Sequence, residues 1–522
     1  MALPKLNQIE SKNAETTSKN KMAQDPFAIR TTKAIRDEIA NNLRNKFEGT
    51  SYLTSKILKE APADFFNKYD KIVADGVSAV QETMSQQNQS SIIAEAQANP
   101  SDKVKKRQAW FTINTEINKF LDRSRTTLVT ADLDSEVDKK IISAMIANEI
   151  IGLGPLEPLW NDTDITEIIA NGPYDIQIEI DGRVYKVRAC HFRDADALDD
   201  KIKRLYQAIN KNFAPTTPLV KGRLYDKSRM MAVNRIIAPD GPNFNIRRHS
   251  DEYLGPQAIL DYGTANKELL TYIGNLIYNG ILFLVVGGTS SGKTTLLDAL
   301  TAFFRPDARV ITLEDNIEMK PHPKKYIAAA MECVDGKPGA NGQTVGGVTM
   351  RDLVKASLQM RPEGLIIGEV TDAAAYDLCQ ALNTGHWGAS TVHANTPADA
   401  MYRLMSLVSQ SDLIKGEVAY NLIAAAFDVV ITTTKFPNDG SRKIISVSEV
   451  GEHVKKDKDG NNYLPTIPLW EFVPAKETWG FNDKIVGDWK QIRELSEQRQ
   501  ANHFLQYKPK LSWEQLMEVA KY

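Results

Sequence analysis

The sequence predicts an α/β fold, with a parallel-sheet core over residues 256–450 preceded by an α+β domain over 106–255. Two observations carry this. ILFLVV (281–286), ARVITLED (308–315) and GLIIGEV (364–370) are short, almost continuous apolar runs separated by helix-like segments, as expected of strands buried on both faces. Upstream, Ile176, Ile178 and Ile180 alternate with Gln177 and Glu179 ahead of Asp181-Gly182, the pattern of an antiparallel hairpin with a two-residue turn.

Taken in order, the first 25 or so residues are rich in Lys, Asn, Ser and Thr and predict disorder. Ile35, Ile39, Leu43 and Phe47 recur every fourth residue, a helical stripe, and Leu53, Ile57 and Leu58 predict a second helix before Pro62. No aromatic residue occurs between Asp70 and Ala109, and QETMSQQNQSSIIAEAQANPSDK inside that span reads as a linker. Residues 1–105 are therefore expected to be a polar, helical extension on a tether. Val137, Ile141, Ile142, Met145, Ile146, Ile150 and Ile151 form a helical stripe stopped by Gly152 and Pro155. Seven Lys and Arg residues at 221–248 are interleaved with short apolar strands and, by themselves, read as a solvated sheet edge. Beyond about 450 the chain turns polar (HVKKDKDGNNY) and then amphipathic (DWKQIRELSEQ), suggesting a C-terminal appendage over 451–522.

Composition narrows the class. The 522 residues allow three or four domains of about 100–200 residues. Lys plus Arg number 64 against 66 for Asp plus Glu, a balance that argues against a dedicated nucleic-acid binder. Cys190, Cys333 and Cys379 form no C-x-x-C pair, which fits a reducing compartment. The most apolar run is six residues long, where a membrane span needs about 20. The N-terminus shows no apolar signal core, so the chain reads as cytoplasmic.

The strongest chemical signal is Gly287-Gly288-Thr289-Ser290-Ser291-Gly292-Lys293-Thr294-Thr295, lying between the apolar run 281–286 and a helix-like segment. It matches G-x-x-x-x-G-K-[ST], a loop whose backbone N–H groups face a phosphate. Lys293 can then reach the β- and γ-phosphates of ATP, and the Thr294 hydroxyl can ligate Mg²⁺. Glu369 ends an apolar strand 76 residues after Lys293 and can hold the metal or position a water. Glu314, Asp315 and Glu318 form a second acidic strand end, although such residues often only cap a turn. GHWGASTVHANT places His386 and His393 around a Ser/Thr run, and His393 suits a γ-phosphate sensor, whereas a lone His is more often merely packed.

These motifs together resemble the secretion ATPase superfamily, the RecA-like motors of type II and type IV secretion and of type IV pili. Its Walker A loop, Asp box, Walker B strand and His box are similar to GGTSSGKTT (287–295), ITLEDNIEM (311–319), LQMRPEGLIIGEV (358–370) and GHWGASTVHANT (385–396). Residues 150–182 and 226–250 resemble the family's N-terminal domain, and the likeness spans about 140–450. The resemblance implies a homohexameric, Mg²⁺-dependent ATPase that docks on an inner-membrane platform or secretion-machine protein. It also implies that Glu314 polarises water, Glu369 is the Walker B glutamate, His393 is the His-box residue, and Arg229 and Arg247 approach the nucleotide. Thr371 stands where many relatives have arginine, and the zinc-binding tetracysteine motif of one branch is absent. A type IVb or Tad-like pilus ATPase is expected, with a conjugative type IV secretion ATPase as runner-up. A RecA-like nucleic-acid motor would want basic, aromatic pore loops. The loop VDGKPGANGQTVGGVT (334–349) offers only Lys337, which argues against direct nucleic-acid binding.

Overall fold

Two units fold around separate cores, residues 1–250 and 251–522. The computed structural model describes residues 27–44, 53–87, 89–98, 102–180, 182–249, 253–319, 327–334, 336–338, 344–476, 480 and 483–521. The polar start, Phe47, Asp181 and part of the 334–349 loop lie outside them.

In the first unit, β1 (Ile165–Asn171), β2 (Ile176–Ile180), β3 (Arg183–Lys186), β4 (Leu219–Arg223), β5 (Arg229–Val233) and β6 (Asn243–Arg247) form an antiparallel sheet. Among the described residues its order is β3-β2-β1-β6-β5-β4. Alternation sets the faces: Ile168, Ile178, Met230 and Ile246 are buried, packing in one core with Leu198, Ile202 and Tyr206 of the helix Ala195–Ala208. Ile180 pairs with Arg183 across the two-residue turn, where Gly182 takes a φ of +74°.

The expected tether is absent from the described residues. The segment 81–103 instead completes the helix Asp70–Gln86, forms the helix Ser90–Ala98 and starts the helix Lys103–Arg123. Met84 and Ala96 are buried in the same core as Ile146 and the sheet. Small residues, not aromatics, make that packing possible: a Cβ on Gly76 would overlap Ile146 and lie 2.8 Å from Phe120. The helix Thr32–Arg44 is likewise fastened, because Arg36 grips Asp138 with both terminal nitrogens at 2.7 and 2.8 Å.

The second unit contains β7 (Phe283–Gly287), β8 (Val310–Glu314), β9 (Ile327–Glu332), β12 (Gly364–Ile367), β13 (Trp387–His393), β14 (Val429–Lys435), β15 (Arg442–Val450), β18 (Thr466–Pro474) and β19 (Gly487–Gln491). These make one sheet in the order β19-β18-β15-β14-β7-β13-β12-β8-β9 among the described residues. Two short ladders stand apart from it, β10 (Lys337–Pro338) with β11 (Thr344–Val345) and β16 (Lys455–Lys456) with β17 (Asn462–Tyr463).

From β14 to β9 the pairing is parallel, so the connecting helices cover both faces. Leu284, Val286, Leu313 and Ile367 enter the core on one side, while Phe283, Val285, Val310 and Ile366 enter the core on the other. The residues after 450 are not a separate appendage: β18 extends this sheet antiparallel to β15, and β19 pairs antiparallel to β18. The helix Glu497–Asn502 then buries Arg499 against Asp428, at 2.7 Å. The amphipathic pattern of 488–498 had concealed an edge strand followed by that helix.

Candidate active site

The parallel strands deliver their carboxyl ends to one edge of the sheet, where ligands of open α/β sheets bind. Gly287 at the end of β7 pairs with His393 at the end of β13. Next along, Ile367 of β12 pairs with Leu313 of β8, which places Glu369 just past the end of β12 and Glu314 at the last position of β8.

Between β7 and the helix Lys293–Leu300 the backbone turns through left-handed conformations at Ser290 (φ +59°) and Gly292 (φ +86°). Gly287 must be glycine here, because a Cβ would overlap Thr433 O and Ser291 Oγ. The helix begins at Gly292 without a side-chain cap, so its first N–H groups face the loop's interior. Ser291 Oγ is buried with no partner among the described residues. An uncapped helix start and an orphaned buried hydroxyl suit a phosphate group.

Lys293 is buried and donates to Gly288 O at 3.0 Å. Its Nζ also lies 3.1 Å from His393 Nδ1. An ammonium only donates, so Nδ1 is the acceptor and the proton sits on Nε2, which is 3.2 Å from Glu369 Oε1. A line Lys293–His393–Glu369 therefore crosses the ends of three neighbouring strands. Burial, then the Lys293 charge, push the His393 pKa below its ordinary value, and Arg403 adds to this while Glu369 opposes it. The imidazole is held neutral, as an acceptor for Lys293 requires. Burial also lowers the Lys293 pKa, against the pull of Glu369.

Glu314 is buried, and its carboxylate accepts from Glu318 N at 2.9 Å and Met319 N at 3.1 Å. Its Cγ would lie 2.8 Å from a Cβ on Gly368, so a glycine beside Glu369 lets the two acidic strand ends approach. Asp315 is exposed. Thr294 and Glu369 offer hard oxygen donors suited to Mg²⁺. The described residues contain no cluster of three or more His, Cys, Asp or Glu side chains able to hold a metal alone.

His386 takes no part in this edge: it lies before the start of β13, with Nδ1 3.0 Å from Ala381 O. Arg229 and Arg247 belong to the first unit, directly opposite each other on β5 and β6, with Arg223 of β4 opposite Arg229. The three arginines line one end of one sheet face, and β1 continues the row with Glu167 opposite Arg247.

Two residues unassigned in the sequence buttress the loop. Thr433 Oγ1 donates to Ser291 O at 3.2 Å and Arg442 Nε to Ser290 O at 3.0 Å. Both lie about 140–150 residues downstream on β14 and β15, and only the strand order reveals their proximity.

The family model described as type II/IV secretion system protein matches residues 149–435. A putative conjugal transfer protein of Mycobacterium tuberculosis is 30% identical over 312 residues, 58% of this chain and 86% of that protein. Protein VirB11 of Agrobacterium fabrum is 31% identical over 179 residues, 34% of this chain and 50% of that protein. Among solved structures, the Legionella pneumophila ATPase DotB aligns with a TM-score of 0.40 and 16% identity, over 70% of this chain and 86% of that chain.

Proposed function

The chain belongs to the type II/IV secretion system protein family, and from that premise we propose that it is a Mg²⁺-dependent ATPase. ATP turnover by a homohexamer would drive type IV pilus assembly or protein secretion through an envelope-spanning machine. The observation that carries the reading is the Lys293–His393–Glu369 line beside an uncapped phosphate loop.

In this account the loop N–H groups and Lys293 bind the β- and γ-phosphates, and His393 keeps Lys293 aimed at them. Thr294 and Glu369 would hold Mg²⁺, which supplies charge neutralisation at the phosphates when bound. Glu314, fixed by two backbone donors, orients the attacking water. Arg229 and Arg247 add positive charge that a single lysine cannot provide. Among the described residues no helix is long and apolar enough to cross a membrane. The proposed location, from membership of the secretion family, is the cytoplasm, with docking on an inner-membrane partner.

A second reading, a motor for conjugative transfer, is favoured by the relative named as a putative conjugal transfer protein. The first test is phosphate release from ATP by the full chain, with Mg²⁺ and with EDTA, alongside sedimentation. Mg²⁺-dependent release by a six-subunit species is expected. A chain that releases no phosphate under any of these conditions is not the motor proposed.

A further inference from the structure

Ser290 occupies the left-handed region at φ +59°, which costs free energy in any residue other than glycine. Its neighbours Ser291 and Gly292 continue the bend into the helix Lys293–Leu300. The conformation persists only if something outside the loop holds it. That support comes from β15, which lies two strands from β7 in the same sheet. Arg442 Nε donates to Ser290 O at 3.0 Å, and Arg442 Cδ would lie 3.0 Å from a Cβ on Gly292.

The arginine is itself rigidly mounted at the start of β15. The preceding turn is closed by Phe436 N to Ser441 O at 2.8 Å and by Gly440 N to Phe436 O at 2.9 Å. Asp439 accepts from Ser441 N at 2.9 Å and from Ile485 N at 2.8 Å, which ties the turn to the segment leading into β19.

We propose that Arg442 is a positioning residue for the phosphate loop, acting through its Nε–H bond to the Ser290 carbonyl. In a loop of this kind the N–H groups face the phosphate, so a carbonyl gripped from outside fixes where they point. The positioning is indirect: Arg442 shapes the cradle, and the cradle binds the phosphates. The inference rests on the nucleotide-site reading above.

The test measures binding of MgADP and of inorganic pyrophosphate to the full-length chain and to two full-length variants. Arg442→Met keeps the aliphatic stem and removes the donor. Arg442→Gln places an amide N–H where Nε stood and removes the charge. The parent should bind both probes; failure to bind either overturns the nucleotide reading itself. Arg442→Met should lose about tenfold in affinity for both probes alike, the scale of one lost hydrogen bond. Arg442→Gln should recover to within about threefold of the parent.

Three results would overturn the inference while leaving the site intact. Arg442→Met could bind both probes as the parent does. It could weaken ADP alone, which would mean a contact to the nucleoside. Or Arg442→Gln could be as weak as Arg442→Met, which would make charge the operative property. Melting curves of the two variants should agree within a few degrees, separating loop shape from general instability.

Discussion

His393 sits between two groups with opposite demands, and its tautomer follows from both. Lys293 can only donate to Nδ1, and Glu369 can only accept from Nε2, so the neutral imidazole satisfies both contacts. His393→Ala removes the acceptor that aims Lys293, and kcat for ATP should fall by about tenfold or more while the chain stays folded. Parental turnover in a folded His393→Ala variant would reduce the contact to packing. Glu314 is held differently, by Glu318 N and Met319 N, and so is fixed in direction. Glu314→Gln should still bind MgATP but hydrolyse it on the order of 10²-fold more slowly. Single-turnover phosphate release measures this directly, and an unchanged rate would leave Glu314 as a loop anchor. The sequence pointed to Glu314 at the end of an apolar run and to His393 beside a Ser/Thr run, but it missed Arg442. Its contact depends on β15 pairing with β14, and no local pattern encodes that.

At the scale of elements, helices fastened by buried ion pairs carry a pH signature. Burial pushes the Asp138 carboxyl up, but bonds from Arg36, Ser135 and Tyr69 and the charge of Lys68 outweigh it and hold it far below the ordinary carboxylate range. With the folded-state pKa depressed, the stabilisation is fully present above the unfolded value of about 3.9. It is lost as pH falls from there toward the folded value. Thermal unfolding of the full chain across pH 2–7 should show the first unit weakening below about pH 4. Asp138→Asn should cost about 3 kcal/mol at neutral pH by leaving Arg36 unpaired, and should flatten that acid dependence. An unaltered acid profile would contradict the assignment. The same scale shows why some elements were legible. Runs such as 364–367 are apolar throughout because helices cover both faces, a constraint visible in one dimension. The helices of 70–123 pack through Gly76, Met84 and Ala96 and so look like polar linker. β18 and β19 reach the sheet by antiparallel addition at its edge, where alternation is weak.

For the whole molecule, the proposed function draws residues from each of the two folded units. The second holds the phosphate loop, and the first holds the row Arg223, Arg229 and Arg247 across β4, β5 and β6. A phosphoryl group in transfer carries more charge than Lys293 neutralises, and arginine contacts in P-loop enzymes are worth about 10³–10⁵ in rate. Arg229→Ala and Arg247→Ala should therefore bind ADP nearly as the parent does, yet lower kcat by on the order of 10²–10³. If both retain parental kcat in steady-state assays, the arginine row faces solvent and serves only solubility. The account as a whole depends on one lysine at the edge where β7, β13, β12 and β8 end. Steady-state phosphate release from MgATP, compared between the full-length chain and Lys293→Ala, tests it most directly. The account predicts Mg²⁺-dependent turnover in the parent and none above background in the variant, with matching melting temperatures. Parental turnover in a folded Lys293→Ala chain would contradict it.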